Sequence, residues 1–342
     1  MAKILITGAA GFIGYNLWEK LCIEHTVMGI DNLTDFSNPQ MKLQRLSNFF
    51  NQRIQKEDSV EVTAEKGVFI AADILDRAKL QSLFSLHTFD VVIHLAALTG
   101  IRPSIQHEEH YRKVNEQGFK NVVEIAEQHG VKKIIYASSS SVYGSCSDYP
   151  FTEESDTNHP LNPYASTKKN NELFAEDFTQ QHNITMIGLR FFTVYGPWTR
   201  PDMATFNFIR KVLNNEEITV FLHQQQSMVR DFTYVEDVCE AIARLVQQLC
   251  SAEQNSPSHT IYNIGGGEPV DVATYVAEIG KQTGRTVQVK KQQGGEGEMI
   301  KTFANCSKLF QHISFKPKVS IEEGLQKTIE WYNFAIKHDA RK

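Results

Sequence analysis

A chain of 342 residues, 41% hydrophobic and 22% charged, can bury the core of one large α/β domain or two smaller ones. Its formal net charge of −5 excludes a general nucleic-acid binder, which needs a basic face. No apolar run approaches the roughly 18 residues of a membrane helix, and Met1-Ala2-Lys3 leads into a strand without a leader pattern, so a soluble cytoplasmic protein is expected.

Lys3 to Thr7 predicts a short buried strand, followed by Gly8-Ala9-Ala10-Gly11-Phe12-Ile13-Gly14 and an amphipathic helix through Leu17, Trp18 and Leu21. In strand, glycine turn and helix, the glycines let the backbone approach a pyrophosphate, which the helix N-terminus then holds. The spacing is G-x-x-G-x-x-G, not the G-x-G-x-x-G of the standard fingerprint. A second strand, Thr26 to Ile30, ends at Asp31. A carboxylate there accepts from the adenosine ribose hydroxyls and repels a 2′-phosphate, so NAD is favoured over NADP. The glycine turn alone is weak evidence, and the acid at the next strand end makes it a dinucleotide site.

Residues 32–66 are polar and longer than a simple connection. Met41, Leu43, Leu46, Phe49 and Phe50 predict one amphipathic helix there, an insertion over the cofactor. Val68-Phe69-Ile70 predicts a third strand ending at Asp73-Ile74, placed to touch the adenine, and Val91 to Ala97 a fourth whose small residues permit close approach to the cofactor. His94, inside that apolar run, reads as a packed, hydrogen-bonded histidine rather than a catalytic one.

Ile134 to Ala137 predicts a buried parallel strand that ends in Ser138-Ser139-Ser140-Ser141-Val142-Tyr143-Gly144. After Pro160 and Pro163, helical periodicity begins with Tyr164-Ala165-Ser166-Thr167-Lys168, which places Tyr164 and Lys168 one turn apart on the same face. A phenol is a poor base at neutral pH, its unperturbed pKa being about 10. A nearby ammonium and a cationic nicotinamide ring favour the phenolate, and a serine hydroxyl at the strand end can share the substrate proton. Taken alone, a Tyr-x-x-x-Lys and a serine run mean little. Beside a dinucleotide site they are hydride-transfer chemistry on an alcohol.

Ile184 to Leu189 supplies a further strand. Strands alternating with helices predict a Rossmann-type doubly wound parallel sheet over residues 1–190, with 231–250 packing back on it. Residues 191–342 read as a smaller α/β substrate-binding lobe, with loop signals at Arg200-Pro201-Asp202, Arg230-Asp231-Phe232 and Gly265-Gly266-Gly267. Arg200 and Arg230 suit a substrate diphosphate, although either in isolation also reads as a solvated surface arginine. His107-Glu108-Glu109-His110 lacks the H-E-x-x-H order, so no metal is expected. The five cysteines, Cys22, Cys146, Cys239, Cys250 and Cys306, form no C-x-x-C and read as buried free thiols.

With Gly8 to Gly14, Asp31-Asn32, Asp73-Ile74, His94 to Ala97, Asn115, Ser138 to Gly144 and Tyr164 to Lys168, nearly the whole chain resembles the extended short-chain dehydrogenase/reductase family, in its NAD-dependent nucleotide-sugar epimerase/dehydratase branch. The resemblance implies Ser139 as the catalytic hydroxyl, Tyr164 as the base, Lys168 as its tuning partner and Asn115 as a helix-distorting residue that supports the site. It also implies cofactor contacts at Gly8, Gly11, Phe12, Ile13, Gly14, Asp31, Asn32, Asp73, Ile74, Leu95, Ala96, Ala97, Thr99, Asn115, Tyr164, Lys168 and Phe191. Within the branch the chain is similar to bacterial UDP-glucuronate 4-epimerases, through Gly29 to Phe36, Met41 to Leu46, Gly100-Ile101-Arg102, Trp198 to Met203 and the tail from Lys316-Pro317 to Trp331-Tyr332. That likeness implies a homodimer acting on a UDP-sugar, interconverting UDP-glucuronate and UDP-galacturonate through a 4-keto intermediate. The substrate contacts implied are Arg102, Ser139, Ser140, Thr193, Arg200, Arg230 and Glu298, with Arg190 a further candidate for the carboxylate that reads equally as a structural residue.

Two positions bear on rival activities. The 4,6-dehydratases carry Asp-Glu where Ser140-Ser141 stand, so an acid to expel the 6-hydroxyl is missing here. UDP-glucuronate decarboxylases usually have asparagine where Thr193 stands. A UDP-glucose or UDP-N-acetylhexosamine 4-epimerase remains the alternative with the same chemistry, and a non-catalytic NAD-binding sensor the alternative from another class. Glu296-Gly297-Glu298, where relatives usually have Pro-Gly-Asp, and Thr199, where glycine is usual, are departures that bear on sugar preference.

Overall fold

From Ile4 onward the first strand, β1 (Lys3–Thr7), is wholly buried, as an inner strand of a parallel sheet covered on both faces must be. The computed structural model describes residues 1–34, 36, 38–55, 61–64, 67–223, 225–251, 257–294 and 299–339. These form two units. The first comprises Met1–Cys146, Glu153–Phe191 and Cys239–Tyr262; the second comprises Ser147–Thr152, Phe192–Val238 and Asn263–Lys342.

The first unit is built on one sheet. After β1 come β2 (Thr26–Asp31), β3 (Glu61–Ala64), β4 (Gly67–Ala71), β5 (Val91–His94), β6 (Lys133–Ser139) and β7 (Thr185–Phe191). The spatial order is β7-β6-β5-β1-β2-β4-β3, with the late strand His259–Ile264 outside β7. Neighbours from β7 to β4 run parallel, and β3 lies antiparallel on β4. The chain moves outward from β1 through β2 and β4, then returns to β5 on the other side of β1. That reversal makes β1 and β5 the switch point, where the loops beyond the carboxyl ends of the strands diverge and leave a crevice.

The sheet is flanked by α1 (Phe12–Leu21), α2 (Pro39–Phe50), α3 (Arg77–Leu86), the short α4 (Ile101–Gln106) and α5 (Glu108–Arg112), α6 (Gly118–Gln128) and α7 (Pro163–Gln181). Phe119, Val122, Val123, Ile125 and Ala126 of α6 are all fully buried, in one cluster with Leu5, Ile30, Val92 and Ile134 of the sheet. At roughly 1.5–3 kcal/mol per large apolar side chain, such burial holds the strand ends in place.

The second unit has two small sheets. Its strands are β8 (Thr193–Tyr195), β9 (Ile218–His223), β10 (Gln226–Ser227) and β11 (Val229–Tyr234), then, after β12 (the His259–Ile264 strand of the large sheet), β13 (Pro269–Asp271) and β14 (Val289–Gln293), in orders β10-β9-β14 and β13-β11-β8. Its helices are α8 (Ala204–Leu213), the start of α9 (Val235–Ser251), α10 (Val272–Thr283), α11 (Ser307–Ile313) and α12 (Ile321–Asp339). Phe232 stacks on Tyr275 at 3.8 Å between ring centroids, with Tyr195 edge-on to both.

Several expectations from the sequence are corrected here. Arg230-Asp231-Phe232 is not a loop but part of β11. Asp231 is buried there because backbone N–H groups of Gly266, Gly267 and Ala304 donate to its carboxylate at 2.7–3.2 Å, which offsets the cost of its charge. Cys239–Tyr262 groups with the first unit, sharing 239–250 with the stretch expected to pack back on it, while β11 groups with the second. Ser147–Thr152 also leaves the first unit, because Phe151 donates to the Phe303 carbonyl and accepts from Asn305. None of the five cysteines is in a disulfide, but only Cys239 and Cys306 are buried.

Candidate active site

Ser139 is the last residue of β6 and caps a 3-10 turn, Ser140–Tyr143. Its Oγ accepts from the Ser141 N–H at 3.2 Å and from Ser141 Oγ at 2.9 Å. A hydroxyl has two acceptor sites and one donor, so these bonds leave the Ser139 proton as its outward donor. Opposite, Asn162 caps α7 through the Ala165 N–H and Pro163 occupies the first turn, which starts the helix one residue before Tyr164. α7 packs on β6 and on the 3-10 turn. Lys168, one turn after Tyr164, is 2% exposed; its Nζ donates to the Ala137 carbonyl at 2.8 Å and lies 6.0 Å from the Tyr164 ring centre. Burial pulls the Lys168 ammonium down to about 8, against the upward pull of Glu172.

Glu172 follows one further turn along α7 and was not singled out in the sequence, although its spacing from Lys168 is the signal. Its carboxylate accepts from Ser138 Oγ at 2.5 Å and forms a two-pronged pair with Arg190, Nε at 2.9 Å and Nη2 at 2.8 Å. Arg190 Nη1 donates to Tyr143 Oη and to the Glu153 carbonyl. These bonds engage all three guanidinium nitrogens within the fold, which suits Arg190 to bracing the β6 and β7 ends rather than to holding a carboxylate. Asn115 sits in a π-helical turn, Lys113–Gln117, between α5 and α6. Its carbonyl accepts from Asn171 Nδ2, and its side chain bonds both backbone groups of Leu98 and Thr167 Oγ1. Side chains inserted into a helical ladder widen it in this way. His94 pairs with Thr7 Oγ1 at 2.8 Å, and burial lowers it to about 3, with the Lys168 charge acting in the same direction, so it stays neutral at physiological pH.

Of the predicted cofactor residues, Gly8 to Gly14 follow β1 and Leu95 to Thr99 follow β5, the two strands of the switch point. Gly8 (φ +73°) lets the turn pass the Leu95–Ala96 backbone, where a Cβ would meet the Ala96 nitrogen at 2.7 Å; at Gly14 a Cβ would run into the Gly8 carbonyl. Gly11 caps α1 without a side-chain bond, and the first turn, which begins with Phe12 and Ile13, holds no acid. The free N–H groups and positive end of that helix suit an anion. Strand β5 stops at His94 instead of running to Ala97, because Leu95 and Ala96 donate to the Thr7 carbonyl and Oγ1. Tyr111 Oη holds the Thr99 carbonyl, and Phe191 pairs in register with Ser139. Asn32 Nδ2 bonds Asp73 at 3.0 Å, joining two of the residues expected around the adenosine. Ile74 is 5% exposed and packs under α6, where Asn121 holds its carbonyl. Asp31 Oδ1 accepts from the Leu33 N–H and from Lys42 Nζ, while no described residue donates to Oδ2. A cramped glycine turn, an uncapped helix start and an available carboxylate oxygen together fit a dinucleotide.

Among the substrate candidates, Arg102 is exposed in the first turn of α4 and Ser140 is half-buried in the 3-10 turn. In the second unit, Thr193 opens β8, Arg200 pairs with Asp202 at 2.7 Å, and Arg230 Nη1 donates to the Val229 and Ile300 carbonyls. Glu298, with Glu296 and Gly297, lies outside the described residues. No group of His, Cys, Asp and Glu among the described residues is placed to hold a metal, and no described helix is long and apolar enough to cross a membrane.

The family model for the NAD dependent epimerase/dehydratase family matches residues 4–265. Protein CapI of Staphylococcus aureus is 37% identical over 342 residues, covering 96% of this chain and 98% of that protein. A probable UDP-glucuronate 4-epimerase of Rhizobium meliloti is 34% identical, covering 97% of each chain. The crystal structure of a UDP-glucuronic acid 4-epimerase from Bacillus cereus, in complex with UDP-glucuronic acid and NAD, is similar with a TM-score of 0.84 and 29% identity, over 96% of this chain and 98% of that one.

Proposed function

We propose, on the premise that the chain belongs to the NAD dependent epimerase/dehydratase family, that it is an NAD-dependent 4-epimerase interconverting UDP-glucuronate and UDP-galacturonate. The observation that carries the chemistry is the bond from Lys168 Nζ to the Ala137 carbonyl, which ties the Tyr164 helix to the strand that ends in Ser139. In this reading Tyr164 takes the proton of the sugar 4-hydroxyl, Ser139 donates to the same oxygen, and the Lys168 charge favours the phenolate. Bound at the glycine turn, NAD supplies a reversible hydride acceptor. The sugar passes through a 4-ketone and is reduced on its other face, with no net redox change. The uronate is supported by the names of the Rhizobium and Bacillus relatives. A homodimer in the cytoplasm completes the reading.

Incubating the purified protein with UDP-glucuronate, without added NAD, and following the products by NMR tests it. UDP-galacturonate without a pentose is the expected product. A pentose or 4-keto pentose would make the enzyme a decarboxylase, and turnover of UDP-glucose alone would move the assignment to the neutral sugar.

The lysine gives this reading a pH signature. With its value near 8, Lys168 is charged below that pH and loses its charge above it. kcat/KM is therefore expected to fall as pH rises through about 8. A profile that stays level to pH 10 would remove the Lys168 charge from the mechanism.

A further inference from the structure

Helix α2 carries two buried cations, Lys42 at 8% and Arg45 at 1% exposure, one turn apart. Both reach the dinucleotide site. Arg45 Nη1 donates to the Ala10 carbonyl inside the glycine turn at 2.7 Å, and Lys42 Nζ pairs with Asp31 Oδ1 at 2.7 Å. The helix has little freedom to carry Lys42 elsewhere. Asn38 caps it, Pro39 opens it, Asn48 bonds Tyr15 Oη at 2.6 Å, and Phe49 stacks on Trp18 at 4.2 Å.

This pairing changes what Asp31 can do. A bare carboxylate at a strand end accepts from ribose hydroxyls and repels a 2′-phosphate by charge. Here the acid is half of a neutral pair, with side chains 4% and 10% exposed, so its net repulsion of a phosphate is small. Oδ1 is occupied by Lys42 and Leu33, which fixes the carboxylate plane and leaves Oδ2 as the oxygen available to the ribose. Lys42 has three donors, and Asp31 takes one of them.

We propose that Lys42 is a specificity-determining residue of the dinucleotide site: it orients Asp31 for the ribose diol, and it is a latent 2′-phosphate ligand held in check by that acid. The selection of NAD over NADP then rests on the occupied pair rather than on bare negative charge. This rests on the NAD site of the proposed function. It also predicts an asymmetry between the two partners. Removing the acid frees a cation, whereas removing the cation exposes an acid.

The test is to incubate each purified protein with equimolar NAD and NADP, remove unbound nucleotide, release what is retained and measure it by mass spectrometry. The wild-type chain is expected to retain NAD. Asp31→Asn should raise the retained NADP:NAD ratio about tenfold or more, the scale of one charge-assisted hydrogen bond to a phosphate. Asp31→Asn with Lys42→Met should lose that gain, because the phosphate ligand has gone. Lys42→Met alone keeps the acid with its Leu33 bond and should push the ratio below wild type, which keeps the test decisive if Asp31→Asn does not fold. An unchanged ratio in Lys42→Met, or a double variant that keeps the NADP gain, would overturn the proposal. Retention of neither nucleotide by the wild-type chain would overturn the dinucleotide reading as well.

Discussion

Turnover of UDP-glucuronate by a Tyr164→Phe variant is expected to fall about 100-fold or more, the usual scale for loss of a general base, while NAD stays bound. The phenylalanine keeps the ring and removes only the hydroxyl. Its neighbours hold themselves in place without it. Lys168 is anchored by the Ala137 carbonyl, Ser139 by the Ser141 donors, and the start of α7 by the Asn162 cap. A loss of turnover with an unchanged melting temperature and unchanged retained nucleotide would therefore report chemistry rather than collapse. The assay is kcat on the uronate beside a thermal scan. Wild-type turnover in the variant would exclude Tyr164 as the base and leave the motif a structural feature.

The second large effect is on stability. Glu172→Gln should destabilise the protein by about 3–5 kcal/mol, because it leaves the Arg190 guanidinium buried without its counter-charge. For a protein of this size that is a fall in melting temperature of roughly 4–7 °C. A surface pair of the same length is the control. Arg112 and Glu108 also meet at 2.8 Å, but their side chains are 48% and 49% exposed, against 5% and 5% for Arg190 and Glu172. Glu108→Gln should therefore cost only about 0.3–0.5 kcal/mol. Distance is equal in the two pairs and solvent decides between them. Matching melting temperatures for the two variants would show that Arg190 finds other partners and that the brace is not needed.

The brace also bears on the site. Ser138 and Ser139 are neighbours at the end of β6, and their side chains alternate across the strand. Ser138 bonds Glu172 and Ser139 bonds Ser141. One hydroxyl secures the strand end while the other remains for chemistry. If the Glu172 network loosens, Ser139 loses its fixed position, so kcat in Glu172→Gln should fall more than KM changes.

Much of this was legible in the chain itself. Short continuous apolar runs rich in β-branched and aromatic residues, such as Ile134-Ile135-Tyr136, suit inner parallel strands, which are buried on both faces. Glycines at 8, 11 and 14 mark a backbone crossing that admits no side chain, and Tyr164 and Lys168 share a face by helical period alone. These are local signals, in which neighbouring residues carry the information. Strand β3 was missed because Glu61–Ala64 is short and alternates polar with apolar residues, and it becomes a strand only by pairing antiparallel to β4. The ladder of β11 was hidden for a related reason. Arg-Asp reads as a loop until Gly266, Gly267 and Ala304 supply donors for the buried acid.

By itself, then, the sequence determined the sheet class, the glycine turn, the acid that follows it and the Ser139, Tyr164 and Lys168 motif, because each depends on residues close together in the chain. Only the tertiary structure decided which charges meet. Lys42 finds Asp31, Glu172 finds Ser138 and Arg190, and Asn171 finds the Asn115 carbonyl across separate elements. A charged side chain carries no sequence mark of its future partner. Its meaning is set when burial removes water and leaves one neighbour to satisfy it.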